Sequence, residues 1–315
     1  MIQNDKVFIG IDVSKATLDI SLSGKHFKIK NEKKEILFFI NKELFSKNFK
    51  PTLVCLESTG GHERITIQTF NEVEIPIHKA HPTKVYAFGK ALNHFAKTDK
   101  LDAKLLEKYA AFVAHEEEGD IPLSKEFYEL QDLRSIDCIL IDAIQANKCR
   151  LKMLTGNAFK YLEKQIVFLK EQLKMVRKDI EKIIKSDDQL NQKHLLLVSL
   201  KGIGNLTANA LIADLPELGQ LTNKEISSLV GVAPKTHESG IKSRQRHIIG
   251  GRFYIRKTLY MAALVASVHN EKMKFFYQRL IAAGKASKVA LTAVIRKIVV
   301  CLNAMLRNNQ VYNAI

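Results

Sequence analysis

Two apolar segments near the start of the chain each end in an acidic residue, and this pattern constrains the fold more than any other feature. Val7–Ile11 is an uninterrupted apolar run followed by Asp12, and Thr52–Leu56 is a second run followed by Glu57. Such runs are typical of strands covered on both faces. Because ligands bind at the carboxyl ends of such strands, the sequence predicts an α/β domain with two carboxylates at one sheet edge.

A second pair of acids lies in a predicted helix. Asp99 and Asp102 are three residues apart, so they share one face of the first turn of a helix that Thr98 or Asp99 can cap. Carboxylate oxygens suit Mg²⁺ or Mn²⁺, and two such ions stabilise the attacking and leaving oxygens of a phosphodiester. Each acid alone is ordinarily a turn or helix-start residue. The four together are more specific, and they form the candidate metal site.

The middle of the chain carries a heptad pattern. From Phe159 to Ile183 the apolar positions alternate in steps of three and four, and a weaker pattern runs from Leu140 to Leu154. Thr155-Gly156-Asn157 separates the two. We expect an antiparallel coiled-coil helical hairpin over 121–190. The seam could serve only packing within the hairpin, but its length favours a second role in forming a dimer.

The last third of the chain is strongly basic. Residues 191–315 carry 18 Lys and Arg against five acids, so they supply +13 of the total net charge of +16. This excess favours a polyanionic partner such as nucleic acid. The segment Lys201-Gly202-Ile203-Gly204 lies between two predicted helices, a helix-hairpin-helix-like arrangement that can present backbone N–H groups to phosphate. A turn between helices needs glycine in any case, so this signal alone is weak.

A glycine-bracketed loop follows, and residues 235–257 hold seven Lys and Arg and one acid. A charged run is usually a solvated surface, but arginine binds phosphate in a bidentate manner. The loop also contains Ser239 and Ser243, which such surroundings could activate as nucleophiles. The candidate nucleic-acid-binding residues are Lys201, Gly202, Gly204, Lys242, Arg244, Arg246, Arg252, Arg256 and Lys257.

Several classes of protein are disfavoured. The N-terminus lacks the pattern of a secretory signal, no apolar run approaches the roughly 18–20 residues of a membrane span, and the four cysteines form no CxxC pair. The GxxxxGK[ST] phosphate loop is also missing from the sequence. We therefore expect a cytoplasmic protein with no membrane partner and no nucleotide cofactor.

The motifs together resemble those of a known family. Gly10–Lys15, Glu57–Gly60, Lys97–Ala103 and the later Ala233-Pro234 and Ser239-Gly240 occur in the order found in transposases of the bacterial IS110 insertion-sequence family, to which pilin-gene invertases are related. The likeness covers about residues 6 to 305. Each piece is weak by itself, but the set is specific.

The resemblance implies three domains: an RNase H-like domain of the Holliday-junction-resolvase (DEDD) type at 1–120, the coiled-coil hairpin at 121–190, and a mostly helical C-terminal transposase domain at 191–315. It implies that Asp12, Glu57, Asp99 and Asp102 bind the metal and act in catalysis, and that Ser239 forms a covalent phosphoserine link to DNA, with Ser243 as the alternative. It also implies donor and target DNA, a guide (bridge) RNA and a homo-oligomer, dimer or tetramer, in which carboxylates and serine meet across subunits. By the same resemblance the protein would be bacterial and nucleoid-associated.

Three other functions compete with this interpretation. A metal-dependent resolvase-like nuclease would use the same four acids with water as nucleophile. A sugar kinase also opens with Gly-x-Asp after a first strand, but the second phosphate motif of that fold is missing from the sequence. A non-enzymatic nucleic-acid-binding protein explains the basic third but not four acids beside a polyanion. We therefore expect a DNA transposase or recombinase.

Overall fold

The chain folds into two compact units, Met1–Leu123 and Ser124–Ile315. The structure, a computed structural model, describes residues 6–93, 98–114, 124–235, 238–239, 242–243 and 247–312. For Lys125, Lys235, Glu238, Ser239, Lys242 and Ser243 it describes the backbone alone. The predicted three-domain division stays a prediction, although the first unit ends close to the predicted boundary at residue 120.

The first unit is an α/β fold around a five-stranded mixed sheet in the order β3-β2-β1-β4-β5. β1, β2 and β3 form an antiparallel meander, and β4 and β5 continue from β1 in parallel. Its strands and helices are β1 Val7–Val13, β2 Thr17–Leu22, β3 Lys25–Lys30, α1 Lys33–Phe39, β4 Pro51–Glu57, α2 Arg64–Glu72, β5 Ile77–Ala80, α3 Pro82–Ala91 and α4 Asp99–Val113. This order of elements confirms the predicted α/β class.

The apolar runs of β1 and β4 are buried because helices cover both sides of the sheet. Ile9 and Ile11 of β1 pack with Val54 and Leu56 of β4 and with α1 and α2 on one side. On the other side Leu53 and Cys55 pack with α3 and α4. Side chains alternate along a strand, so Asp12 and Glu57 emerge on the side that α4 covers.

The second unit is mainly helical and begins with the predicted hairpin. Its helices are α5 Lys125–Leu151, α6 Gly156–Ser186, α7 Asp188–Val198, α8 Asn205–Asp214, α9 Asn223–Val230, α10 Phe253–His269, α11 Glu271–Ala282 and α12 Ser287–Asn308. α5 and α6 pack on each other, and Ile166 and Ile180 of the predicted seam are buried there. The intramolecular packing is thus observed, while dimer formation by the seam stays a prediction.

Buried ion pairs join the hairpin to the rest of the second unit. The guanidinium of Arg134 on α5 pairs with Asp137 one turn away, and its Nε lies 3.0 Å from Oδ2 of Asp214 on α8. Asp137 also accepts a 2.8 Å hydrogen bond from Arg177 on α6. Arg134 and Asp137 are 8% and 4% exposed, so these charges depend on one another for neutralisation.

α12 is long and apolar enough by composition to cross a membrane, and about half of its most apolar window is buried inside the protein. A core helix of a globular protein has the same properties. The burial of Val294, Ile298 and Leu302 within the second unit accounts for the apolar composition of this helix.

Candidate carboxylate site

Asp12 and Glu57 lie side by side at one edge of the sheet. In the parallel pairing of β1 and β4, Ile11 is the register partner of Leu56, and Asp12 and Glu57 are the next residue on each strand. Both carboxylates are half-buried. The predicted placement of the two acids at the carboxyl ends of neighbouring strands is therefore what the structure contains.

Helix α4 brings the second pair of acids to the same side of the sheet. Thr98 caps the helix by accepting a hydrogen bond from the backbone N–H of Leu101, and Asp99 and Asp102 lie in the first turn. α4 approaches β1 closely at Gly10, where a Cβ atom would meet the backbone of Ala103 and Glu107 at 2.1 Å. Only glycine allows this approach without a shift of the helix.

The pKa of the Asp12 carboxyl group is raised by its surroundings. Partial burial, followed by the charges of Asp102, Asp99 and Asp19, raises the pKa of Asp12 from 3.8 to about 6. Like charges at short range disfavour ionisation, as does removal from water. The structure therefore brings Asp12, Asp99 and Asp102 into electrostatic contact, with Asp19 as an additional member.

Asp19 joins the cluster through the meander. It is the register partner of Asp12 across β1 and β2, and it is 5% exposed. His26 Nε2 lies 2.8 Å from one of its oxygens and Lys28 Nζ lies 3.0 Å from the other. The same ammonium group lies 3.7 Å from Oδ2 of Asp99. Lys28 thus joins two acids of the cluster.

Two side chains order the loops that follow Asp12 and Glu57. Glu63, which is 4% exposed, accepts hydrogen bonds from the backbone N–H of Gly61 at 2.8 Å and from Thr59. Burial opposes ionisation of Glu63, but these hydrogen bonds outweigh it and lower its pKa. Asn31 donates to the carbonyl oxygens of Ser14 and His62, so it ties the loop after Asp12 to the loop after Glu57.

The donor type of this cluster fits a hard divalent cation. Four predicted carboxylates lie on the α4 side of the sheet, and a cation would offset both the burial and the like charges that raise the pKa of Asp12. Within the part of the chain that the structure describes, no three His, Cys, Asp or Glu side chains are grouped closely enough to hold one ion. Binding a metal at this site therefore requires side-chain rotation, for which the exposed Asp99 has room.

The sequence interpretation did not single out Asp19, Lys28 or Glu63. A signal for Asp19 was present, because Asp12 and Asp19 are placed symmetrically about the short turn of residues 14–17, which makes them partners in a tight antiparallel pair. Lys28 and Glu63 had no such signal. Their roles depend on contacts with residues of other strands and loops.

The predicted serines lie in the second unit, in a short antiparallel strand pair. In this pair, β7 Glu238–Ser239 and β8 Lys242–Ser243, Ser239 is the register partner of Lys242 and Ser243 that of Glu238. A second antiparallel pair flanks the first in the sequence, with β6 Pro234–Lys235 before it and β9 His247–Ile248 after it. Arg244 and Arg246 lie outside the described residues.

Three predicted phosphate-binding cations at the start of α10 have partners within the protein. Arg252 forms a bidentate pair with Glu217 at 2.5 and 2.7 Å and also donates to the carbonyl oxygen of Asp214. Arg256 donates to backbone carbonyl oxygens, the closest being that of Gly250 at 2.8 Å. Lys257 pairs with Asp142 of α5 at 2.9 Å. Their binding of nucleic acid stays a prediction.

The predicted glycine hairpin connects α7 to α8. Gly202 adopts a φ of +119°, and a Cβ atom there would lie 2.7 Å from Cβ of Ala266 on α10, so both conformation and packing require glycine. Gly204 is the N-cap residue of α8. Lys201 is exposed beside them. The observed order of helix, glycine turn and helix agrees with the predicted helix-hairpin-helix-like arrangement, and its contact with phosphate stays a prediction.

Two family models match the chain: the first covers most of the first unit and α5 of the second, and the second lies within the second unit. The model for the DEDD transposases of IS110 matches residues 9–159, which include all four predicted acids. The model described as the transposase IS116/IS110/IS902 family matches residues 194–278, which include both candidate serines. The two matches together cover most of the chain and occur in the predicted order.

Full-length relatives support the same assignment. The chain is 25% identical to the pilin gene-inverting protein of Moraxella bovis over 98% of both chains, and it is similar to the same extent to that of Moraxella lacunata. The likeness therefore extends across both units and the hairpin. The chain belongs to the IS110 family of transposases, and it is a DNA transposase or recombinase.

Proposed function

We propose that this transposase cuts and rejoins DNA through an RNase H-like domain in which Asp12, Glu57, Asp99 and Asp102 bind Mg²⁺ or Mn²⁺. The observation that carries this proposal is the placement of Asp12 and Glu57 at the carboxyl ends of neighbouring strands, on the side of the sheet where the first turn of α4 holds Asp99 and Asp102. Clustered carboxylates repel the phosphates of DNA, so such a cluster is useful to a DNA-processing enzyme only when a cation neutralises it.

Each acid has a separate position in this proposal. Asp12 and Glu57 stand on rigid neighbouring strands and define the base of the site. Asp102 is half-buried on α4, and Asp99 is more exposed at the helix start. When bound, divalent ions would neutralise phosphate oxygens and stabilise the charge on the leaving oxygen. The chain's own contribution is the fixed backbone positions of β1, β4 and α4, from which these side chains would reach the ion.

We further propose that Ser239 is the nucleophile, with Ser243 as the alternative. Its Oγ would attack phosphorus, so that a P–Oγ bond forms while the P–O3′ bond breaks. The proton lost by the serine hydroxyl is balanced by the proton that the leaving 3′ oxygen gains. The phosphoserine ester conserves the bond, and rejoining is the same step in reverse, so no nucleotide cofactor is needed.

The remaining partners extend this proposal. The resemblance supports a bridge RNA that pairs with donor and target DNA, and a homo-oligomer formed by the hairpin. The basic residues of the second unit, including Lys201, Lys242, Arg244 and Arg246, would bind backbone phosphates. The relatives are named for the inversion of a pilin gene, and we propose the same class of strand exchange for this chain.

The test is cleavage of DNA by the purified protein with Mg²⁺, the DNA of the element ends and the adjacent transcribed RNA. The products are separated on a denaturing gel with and without protease treatment. We expect a protease-sensitive protein–DNA adduct that is lost in Ser239→Ala and kept in Ser243→Ala. Asp12→Ala and Asp102→Asn should abolish both cleavage and adduct, because they remove proposed metal ligands.

Other outcomes assign the chemistry differently. An adduct lost only in Ser243→Ala would move the nucleophile to Ser243. Cleaved DNA with no adduct in the wild type, unchanged in Ser239→Ala, would support the alternative function of a resolvase-like nuclease that uses water. Full cleavage by Asp12→Ala would remove the carboxylate cluster from the mechanism.

A further inference from the structure

α11 and α12 form a basic surface with an exposed aromatic ring, which lies outside the residues assigned above. On α11, Lys272, Phe275, Phe276 and Arg279 follow the spacing i, i+3, i+4, i+7, so they share one helix face. Phe275 is 69% exposed. Between residues 253 and 312 the sequence contains one acid, Glu271, against ten Lys and Arg. This part of the sequence therefore supplies few carboxylates that could pair with these cations.

Cations from both helices converge at Phe276. The guanidinium carbon of Arg279 lies 5.3 Å from the centre of the Phe276 ring, and Nζ of Lys297 on α12 lies 4.6 Å from it. Lys272 and Lys297 both act on the thiol of Cys301, where burial raises the pKa and the two ammonium groups oppose that rise. Two cations thus lie over one aromatic ring, and Lys272 lies on the same face of α11 as that ring.

These three cations are not matched by acids. Within the described ranges, neither Lys272, Arg279 nor Lys297 forms an ion pair with an acidic side chain. In this they differ from Arg252 and Lys257, each of which pairs with a carboxylate. Repulsion between like charges costs free energy, and a bound anion would remove this cost. The ring of Phe276 holds two of the cations in place before any anion binds.

We propose that this surface, formed by Lys272, Phe275, Phe276, Arg279 and Lys297, binds single-stranded DNA. One base stacks on the exposed ring of Phe275, and the flanking phosphates contact the three cations. An unpaired nucleotide fits because the faces of its base are uncovered, whereas bases in a duplex stack on each other. DNA is the favoured strand because the family acts on DNA. Arg279 and Lys297 lie beyond residue 278, where the second family match ends.

The experiment measures fluorescence anisotropy of a labelled oligothymidylate of about 20 nucleotides, titrated with the full-length protein at several salt concentrations. Phe275→Leu should weaken binding about tenfold, because stacking of a base on an aromatic ring is lost. Phe168→Leu is the matched control, because Phe168 of α6 is also exposed, at 57%, but lies outside the proposed surface. This substitution should leave the affinity unchanged. Phe275→Tyr should retain the affinity.

The charge contribution is tested through the salt dependence. Lys297→Gln should reduce the slope of log K against log salt by about 0.7, the value for one phosphate contact on a single strand. Lys224→Gln, which removes an exposed lysine of α9, should leave the slope unchanged. Circular dichroism of all variants confirms that each one is folded.

The outcomes separate this inference from the proposed function. Ser239→Ala and Asp12→Ala should bind the oligothymidylate like the wild type, even though both lose cleavage. Equal affinity of Phe275→Leu and Phe168→Leu for the oligothymidylate would overturn the inference. So would a Phe275→Leu variant that loses as much affinity for a duplex of the same length as for the single strand. If an oligouridylate alone depends on Phe275, the occupant is single-stranded RNA and the assignment to DNA is wrong.

Discussion

Gly10 of β1 and Ala103 of α4 are in such close contact that a Cβ atom at position 10 would lie 2.1 Å from the carbonyl oxygen of Ala103. This contact sets the distance between the sheet and α4. Because Asp102 precedes Ala103 and Asp12 lies two residues beyond Gly10, it also sets the distance between these two carboxylates. The close approach of the backbones is thus a condition for the cluster.

Gly10→Ala should therefore disturb the site as well as the fold. The added methyl group meets backbone atoms, so α4 must move, and we expect a loss of about 2–3 kcal/mol in the free energy of unfolding. DNA cleavage should fall further than this loss explains. The control is Gly89→Ala, where the new Cβ meets only the flexible end of Leu105 at 3.0 Å. Unchanged stability of Gly10→Ala, measured by urea unfolding, would contradict the packing.

The raised pKa of Asp12 predicts a dependence of stability on pH in the metal-free protein. Folding favours the protonated carboxyl, so this contribution is fully present below pH 3.8 and is lost as the pH rises through about 6. For a half-exposed group screened by solvent we expect an effect of about 1 kcal/mol. Asp12→Asn should remove this loss and stabilise the metal-free protein at pH 8.

Thermal unfolding at pH 4 and pH 8, with and without Mg²⁺, checks this prediction. Mg²⁺ should stabilise the wild type at pH 8 more than it stabilises Asp12→Asn. As control, Asp142→Asn should gain no stability at pH 8, because its hydrogen bond to Lys257 lowers the pKa of that carboxyl. If Asp12→Asn is less stable than the wild type at pH 8, the carboxylates do not repel one another as inferred.

The buried ion pairs at the base of the hairpin predict a large loss of stability. Asp137→Asn removes the charge that Arg134 and Arg177 share, which leaves a buried guanidinium without full compensation. We expect a loss of about 3–5 kcal/mol in the free energy of unfolding. Glu181→Gln is the control, because its pair with Lys185 is exposed and 3.9 Å long. Equal unfolding midpoints for the two variants in urea would show that the Asp137 pairs contribute little.

Arg252 has two candidate roles, stabilising the fold and binding phosphate, and they predict different results. Its bidentate pair with Glu217 and its bond to the carbonyl of Asp214 predict that Arg252→Ala loses about 1–2 kcal/mol of stability. Glu217→Gln should lose part of the same free energy. Thermal unfolding and the salt dependence of DNA binding are measured together. Unchanged stability with a reduced salt slope would assign Arg252 to the nucleic acid instead.

Much of the first unit, and the hairpin of the second, could be predicted from the sequence, because their signals are local. Runs of apolar residues identify buried strands, and the residue after each run lies at a sheet edge. The spacing of Asp99 and Asp102, together with the capping residue Thr98, predicts the start of α4 and the shared face of the two acids. The heptad positions of α6 predict which side packs on α5. These patterns repeat within one or two turns, so no distant contact is needed.

The partners of the charged residues could not be predicted in this way. Arg252 and Lys257 belong to a basic run that favours phosphate binding, yet each meets an acid from another helix, Glu217 or Asp142, far away in the sequence. Asp19 and Lys28 likewise join the cluster only because β2 and β3 fold back beside β1. The sequence shows which residues are charged, but which acid neutralises which base depends on the distance between them in the folded protein.

The sequence by itself determined the α/β character of the first unit, the helical hairpin and the identity of the candidate acids, since periodicity and local spacing specify these features. The candidate serines were chosen through the resemblance that the sequence motifs carry. The tertiary structure alone decided that α4 lies against Gly10, that Asp12 has a raised pKa, and that cations from α11 and α12 meet around Phe276. The physical reason is that close packing and electrostatic energy depend on distances between residues remote in the chain, which folding alone sets.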